Sequence, residues 1–550
     1  MKTRFTAEII REYTDRGYWG SQTIAERFDQ TVQACPEKVA VVDSVRRTTF
    51  RELSRMSERL ALGMVEAGIR PGDRVASQLP NRAEALAVMI AIARIGAALV
   101  PAVPYYRAAE MEYFLGHSEA AAVFIPGAFQ GFNYVEMMAG IRPRLPALRH
   151  VIVSGEDAAP GTVSMDEILR VPHEERYPAD FLTQFRPDAN DPFLLNYSSG
   201  SESAPKAAMM THNILLLCVW RTQNLRLADQ DTVLTLAPLH HGFGLVIGGL
   251  APCVCHGATV VLMDRVVPEE ALAIAESERA SVIVAVPPQI VSLLAAGPSR
   301  YDLSALRAVT TAGAASNPDV IRQLTVQAGC IYINMWGTTE GGSLMARLDD
   351  PPEVIETTLG RPAHPAMEFR MLADDGVTEV PQGEIGRIGM RGPTVFAGYF
   401  KDPERTASVF NSDGFYVTGD LGYIGQDGNI RLVGRKNELI NRGGEKIRPL
   451  EVEEAILSHP GIMAAAVVAM PDLRLGERAC AYIVPGEGVQ ITLPDLVSFL
   501  RSRGLATFKL PERLEIVESL PMTASGKVRK NLLREEIERK LTEEGSKNGS

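Results

Sequence analysis

Residues 84–102 read EALAVMIAIARIGAALVPA. The stretch reads as an apolar-faced helix running directly into a buried strand. Short strand-like runs follow: AAAVFIP (120–126), RHVIVSG (149–155), DTVLTLAP (231–238), ATVVLMD (258–264), ASVIVAVPP (280–288) and LRAVTTAG (306–313). Many of them open loops or helical patterns, the rhythm of parallel α/β sheets. No fixed repeat is visible. After residue 380 the texture changes. EIGRIGMRG (384–392) and GFYVTGDLGYIGQDGNIRLVGR (414–435) alternate and turn on Gly-Asp pairs, as antiparallel meanders do. From residue 438 a smaller pattern begins, with a helix (449–460), strands at 464–471 and 477–485, a helix (493–504), a strand (513–519) and a charged C-terminal helix. That is an α+β module of roughly 110 residues, an ordinary domain size.

The chain has 550 residues, too many for one ordinary core. Its composition is that of a soluble globular protein. A net charge of -11 leaves no basic surplus to neutralise a nucleic-acid backbone, yet permits a local nucleotide site. Six cysteines in so long a chain favour reduced thiols in a cytoplasmic protein. Cys253, Cys255 and His256 lack a second ligand pair at metal spacing, so buried core is the expectation there. The N-terminus carries no apolar signal core. The apolar stretch 243–263 contains Pro252, His256 and several glycines, and reads as a buried helix, a turn and a strand rather than a membrane span.

Residues 196–213 read NYSSGSESAPKAAMMTHN. The polar, glycine-containing loop ending on Lys206 can wrap N–H groups round phosphate oxygens and set a cation beside them. The Walker pattern fails, because Pro205 replaces the second glycine and Ala207 follows the lysine. Taken alone, the loop is equally a solvated turn. It is joined, in order, by APLHHGFG (237–244), NMWGTTEGG (334–342), YVTGD (416–420), LVGRKNELINRGGEKIRPLEVEE (432–454) and LPMTASGKVRK (520–530).

Together these strings resemble the acyl-adenylate-forming (AMP-binding) superfamily of ligases, over essentially the whole chain. The GYW segment (17–19), INRGGEKI (440–447) and FKLPERLE (508–515) look closest to stand-alone aryl-acid–AMP ligases such as 2,3-dihydroxybenzoate ligases. Cyclohexanecarboxylate–CoA ligases are similar too. The resemblance implies an α/β multidomain fold. Residues 1–434 would form a large N-terminal domain of two α/β subdomains plus a small β-barrel, 435–438 a hinge, and 439–550 a small mobile α+β C-terminal domain. It also implies a reaction in two halves. A carboxylate and Mg·ATP give an acyl-adenylate and pyrophosphate, and a thiol then displaces AMP. The thiol is that of CoA or of a carrier protein's phosphopantetheine.

The same resemblance assigns residues. Ser198, Ser199, Gly200, Ser201 and Lys206 match the phosphate loop. Thr339 and Glu340 match the pair whose hydroxyl contacts the α-phosphate and whose carboxylate holds Mg²⁺, a hard cation suited to oxygen. Trp336 falls where Tyr or Phe is usual, beside Gly337, and offers a ring to stack on adenine; a plain core tryptophan is the alternative. Gly313, Ala314 and Ala315 match the turn on adenine's other face, and Asn334 its amino-group partner. Asp420 matches the carboxylate that accepts from both ribose hydroxyls, with Arg435 approaching the same ribose. Lys527 matches the lysine bridging the substrate carboxylate and the α-phosphate, where a cation offsets developing charge; Lys530 fails on spacing. His241 matches the histidine closing the acyl pocket, with one of His240 and His241 expected to be structural. Arg442, Gly443, Gly444 and Lys446 match the thiol tunnel.

Departures qualify this. Glu202 and Ser203 stand where Thr-Gly is usual, so ATP binding weaker than usual is expected. The hinge residue, usually Asp or Lys, is Asn437, and Glu438 follows where Asp is usual. In the hydroxybenzoate ligases an Asn and a Ser read phenolic hydroxyls; here those positions are Gly242 and Ile247. With Gly244, Val246 and Gly248 they suggest a roomy, greasy acyl pocket and a bulky, mostly apolar acid. A non-catalytic nucleotide-binding relative is the remaining alternative, against which Lys527, Glu340, Asp420 and Arg435 count.

Overall fold

The computed structural model describes residues 1–155, 160–198, 205–313, 318–486, 488–523 and 527–548, with side chains to residue 544. Ser199, Gly200, Ser201, Glu202, Ser203, Ala314 and Ala315 therefore lie outside the described residues. The stretch 84–102 forms the helix Ala83–Arg94 and the strand Ala98–Pro101. Ala85 to Ala93 are all buried, as a helix apolar all round requires. Each of Leu86, Met89, Ile90 and Ile92 is wholly covered, a burial that stabilises by about 1.5–3 kcal/mol per side chain.

This helix packs on the first sheet, and Leu86 reaches Gly249 in the next subdomain. Among the described residues that sheet has seven strands. Pro192–Tyr197, Ala98–Pro101, Arg74–Ser77, Ala122–Pro126 and His150–Ser154 run parallel in that spatial order. Ala207–Thr211 folds back antiparallel on Pro192–Tyr197 at one edge. The second sheet has nine described strands. Its parallel centre is Thr259–Leu262, Thr232–Thr235, Val282–Val284, Ala308–Ala312 and Ile331–Thr338, and Gly341–Met345 returns antiparallel beside the last. The buried runs are Val- and Ile-rich because helices cover both faces.

The apolar stretch 243–263 resolves into a π-helix, Gly244–His256, and the strand Thr259–Leu262. No described helix is long and apolar enough to cross a membrane. The barrel-like part is built on a four-stranded antiparallel sheet of Glu368–Leu372, Gly386–Arg391, Tyr416–Ile424 and Ile430–Arg435. The short 3-10 turn Lys436–Glu438 then leads into the smaller C-terminal domain. There a five-stranded sheet is covered on one face by Pro449–Leu457 and Leu493–Ser502 and on the other by Lys530–Asn548. The chain is thus a mixed α/β multidomain protein with a large N-terminal and a small C-terminal domain.

Candidate active site

An open cleft of about 1790 Å³ runs between the two domains, lined by Ser198, Lys206, Trp336, Glu340, Asp420 and Arg435 from one side and Lys527 from the other. Each arrives through local structure. Ser198 and Lys206 face each other across the open end of the hairpin Pro192–Tyr197/Ala207–Thr211: Ser198 N–H donates to the Lys206 carbonyl at 2.8 Å, and Lys206 N–H donates to Ser198 Oγ at 3.0 Å. Tyr113 Oη donates to the Pro205 carbonyl at 2.7 Å and fixes the same end.

Thr339 and Glu340 sit in the turn between Ile331–Thr338 and Gly341–Met345. Gly341 (φ +95°) permits that turn, because a Cβ there would stand 2.1 Å from the Thr394 carbonyl oxygen. Glu340 is buried, and Tyr399 Oη donates to its Oε1 at 2.6 Å. Burial and the Glu340 charge push the Tyr399 phenol well above its ordinary value, so it remains a donor. Lys206 Nζ lies 5.9 Å from the centre of the Tyr399 ring. Asn334, one strand in, accepts from Thr311 Oγ1 at 3.2 Å through Oδ1.

Asp420 and Arg435 are cross-strand partners in the hairpin Tyr416–Ile424/Ile430–Arg435, so register alone makes them neighbours. Arg435 Nε donates to Asp420 Oδ1 at 2.9 Å, and Trp336 Nε1 donates to Asp420 Oδ2 at 3.1 Å. Trp336 therefore presents its indole edge to the site's carboxylate, beyond the stacking face the sequence offered.

Lys527 enters from the C-terminal domain, its N–H donating to Thr523 Oγ1 at 3.0 Å. Burial and the Arg435 guanidinium lower its ammonium below the ordinary lysine value, against the opposing pull of Asp420 and Glu340. Burial first, and then the Lys527 charge, push the His241 imidazole down to about 4. His241 is accordingly neutral at pH 7. His240 is the packed member of the pair, buried with its Nε2 2.8 Å from Ser77 Oγ.

The residues assigned to the acyl pocket lie on and just before the π-helix. The missing Cβ of Gly244 would stand 2.1 Å from the Pro238 carbonyl oxygen, and that of Gly248 2.5 Å from Thr235 Cγ2. Both glycines are spent on close packing of the π-helix, so they add no free volume. Val246 and Ile247 are buried, and Val246 faces Ile24, Leu215 and Leu250. Gly242 differs in what it meets: a Cβ there would stand 3.1 Å from the Asn196 amide nitrogen, so this glycine lets a polar side chain approach the main chain closely. The hairpin Ile440–Arg442/Glu445–Ile447 is likewise away from the cleft. Gly443, Gly444 and Lys446 are exposed, and Arg442 Nε donates to Glu512 Oε1 at 2.6 Å. Gly313 ends its strand at φ +99° and lines the cleft.

Sequence reasoning passed over Tyr399, Asn196 and the work of Lys530. Tyr399 lies in an aromatic GYF run that carried no polar signal. Lys530 Nζ bridges Glu438 Oε2 and Glu453 Oε1, each at 2.8 Å.

A divalent cation fits the chemistry here. Glu340 supplies a hard carboxylate at the cleft wall and Thr339 a hydroxyl. No trio of His, Cys, Asp or Glu that could cage a metal occurs among the described residues. The Glu340 carboxylate suits Mg²⁺, which takes one or two carboxylates and completes its shell with phosphates and water.

Comparison with known proteins bears on this geometry. The model of the AMP-binding enzyme family matches residues 28–400, and that of the AMP-binding enzyme C-terminal domain matches 451–527. A 2,3-dihydroxybenzoate-AMP ligase of Bacillus subtilis (strain 168) is 36% identical over 98% of this chain and 98% of its own. A 2-hydroxy-7-methoxy-5-methyl-1-naphthoate–CoA ligase of Streptomyces carzinostaticus is 35% identical over 96% of this chain and 95% of its own. Among solved structures, an anthranilate CoA ligase in complex with anthranoyl-AMP superposes with a TM-score of 0.85 at 25% identity, covering 95% of this chain and 98% of that one.

Proposed function

The chain belongs to the AMP-binding enzyme family, and from that premise we propose that it is an acid–thiol ligase that activates a mostly apolar carboxylic acid and passes it to CoA. The observation that carries this is that Lys527, from the C-terminal domain, lines the same cleft as Lys206, Glu340, Asp420 and Arg435. One oxygen of the acid attacks the α-phosphorus of ATP, the bond to the β-phosphate oxygen breaks, and pyrophosphate leaves. The thiol sulfur then attacks the acyl carbonyl, the thiol proton is lost to solvent, and AMP departs with the electron pair of the anhydride bond.

Within this proposal residues 1–434 are the body, 435–438 the hinge and 439–550 the lid. Ser198 and Lys206 bind the outer phosphates. The Thr339 hydroxyl contacts the α-phosphate, and Glu340 would hold Mg²⁺, which when bound supplies positive charge to the nucleotide's phosphates. Asp420 and Arg435 hold the ribose, and Trp336 with Asn334 the base. Lys527 sets its ammonium against the anionic oxygens of the attacking carboxylate and the α-phosphate. His241, neutral, steadies the acid without moving a proton. Arg442, Gly443, Gly444 and Lys446 line the thiol's path once the lid turns. A cytoplasmic location, where ATP and CoA are available, goes with this role.

Substrate polarity rests on Gly242 and Ile247, which offer no side-chain donor to a ring hydroxyl. Alicyclic, terpenoid-like or unhydroxylated aryl acids fit. The argument for bulk no longer draws on Gly244 and Gly248. An acid panel with ATP and CoA, reading AMP and thioester by mass, tests the proposal. Dependence of AMP release on an apolar acid is expected. 2,3-Dihydroxybenzoate as the best substrate would overturn the acid assignment. Transfer to a phosphopantetheinyl carrier in preference to CoA would overturn the acceptor.

A further inference from the structure

Asp420 is held from both sides, and the two holds differ in origin. Arg435 follows from the hairpin register, whereas Trp336 comes from the second sheet, 84 residues earlier. Arg435 Nε takes Oδ1 at 2.9 Å and Trp336 Nε1 takes Oδ2 at 3.1 Å. A carboxylate has about four acceptor positions, two on each oxygen. With one protein donor on each oxygen, one acceptor position remains on each. That pair of positions, on adjacent oxygens of a carboxylate that cannot swivel, is matched to two neighbouring hydroxyl donors. The carboxylate and the indole are both buried and both line the cleft. Asp420 N–H donates to Thr418 Oγ1 at 3.1 Å, which fixes its main chain as well. The indole is backed by Phe369, edge to face with ring centroids 6.2 Å apart, so the donor itself is held.

We propose that Trp336 is a positioning residue for sugar selection: its indole N–H, opposite Arg435, locks the Asp420 carboxylate in the orientation that accepts a vicinal diol, and so sets the preference for ribonucleotides over deoxyribonucleotides. The inference rests on Asp420 being the ribose contact in the function proposed above. A phenylalanine keeps the apolar ring and deletes the donor. With Arg435 alone, the carboxylate turns about its Cβ–Cγ bond and the second acceptor position is no longer presented. Stacking on adenine acts on a ribonucleotide and its deoxy counterpart alike, and so cannot change the ratio of their affinities.

The test is calorimetric binding of AMP, 2′-deoxyAMP and 3′-deoxyAMP to the full chain and to Trp336→Phe. It needs neither the acid nor the thiol. The expected result is that AMP binding weakens roughly tenfold, the scale of one hydrogen bond to a charged group, while the deoxy nucleotides change little. The AMP-to-deoxyAMP preference then collapses. In an Asp420→Ala background, Trp336→Phe is expected to leave the three affinities unchanged, because the carboxylate it positions is gone. Trp336→Leu serves the same comparison if the phenylalanine variant does not accumulate folded, because it also lacks a donor and its loss of stacking falls on all three nucleotides alike. Equal weakening of all three nucleotides, or a preference that survives the substitution, overturns the inference and leaves the proposed function standing. A wild-type chain that binds AMP no better than 2′-deoxyAMP counts instead against Asp420 as the ribose contact.

Discussion

Tyr399 Oη donates to Glu340 Oε1 across 2.6 Å, joining the segment after the Gly386–Arg391 strand to the turn that carries the cleft's buried carboxylate. The phenol occupies a lone pair of one oxygen and fixes the direction of the other. Tyr399→Phe removes that hold without removing the ring. The expected outcome is a roughly 10–100-fold higher Mg²⁺ requirement for pyrophosphate release, the usual cost of losing a partner behind a metal ligand. A titration of rate against Mg²⁺ checks it. An unchanged midpoint would show that Tyr399 acts through packing alone.

Lys527 gives the sharpest separation of steps. Its side chain lines the cleft with Asp420 and Glu340, and in the proposed mechanism it meets the charge that develops in the first half-reaction. Lys527→Ala is expected to slow acyl-adenylate formation by about 10²–10³-fold, as loss of one preorganised cationic contact does. AMP binding, read by calorimetry, is expected to stay within a few-fold. Synthetic acyl-adenylate supplied to the variant with CoA should still give thioester. A variant that forms adenylate at the wild-type rate would remove Lys527 from the mechanism.

The alternation of apolar helix and strand in 84–102 and its neighbours was legible because a two-sided parallel sheet needs runs buried on both faces, and such runs are visible in a sequence. Asp420 and Arg435 were legible by resemblance, and their pairing follows from hairpin register. What was not legible depends on where space is spent. Gly244 and Gly248 read as room for a substrate, yet their missing side chains accommodate the Pro238 carbonyl and Thr235. A sequence reports that a side chain is absent but not what fills its place. Tyr399 was invisible because its partner is 59 residues distant in sequence. Trp336 showed its ring but not the direction of its N–H.

Lys530 ties the 3-10 turn Lys436–Glu438 to the helix Pro449–Leu457 of the C-terminal domain. Its ammonium is bracketed by Glu438, in the 3-10 turn, and Glu453, in the helix Pro449–Leu457; burial pulls its pKa down, but the two carboxylates outweigh burial and raise it above the ordinary value. On the other side of the same turn, Lys436 Nζ reaches Asp374 Oδ1 of the body at 2.6 Å. Lys530→Ala leaves two acids facing each other with no cation. A loss of about 3–5 kcal/mol is the scale for orphaning a buried charge, and it should appear as an early lid transition in calorimetry of the full chain. Lys530→Arg should recover much of it. An alanine variant with an unchanged melting profile would deny the clamp any structural part.

The buried histidines set the acid limit of stability. Burial pushes the imidazoles of His212 and His240 down to about 3, against an ordinary value near 6.5 in an unfolded chain. Between those values the unfolded chain binds a proton at each site that the folded chain does not. Stability therefore rises with pH through this window, is full above about pH 6.5, and is lost progressively as pH falls. Each site contributes a slope of up to about 1.4 kcal/mol per pH unit. Between pH 7 and 5.5, above the range where carboxylates titrate, urea midpoints are expected to fall as the solution is acidified. His240→Gln keeps a polar group near Ser77 Oγ but cannot take up the proton. It is expected to lower stability at pH 7 and to flatten the slope by one proton's worth. A slope identical in the variant would mean that His240 is already protonated, or already neutral, to the same extent in both states, and the claim that the fold holds it uncharged would fall.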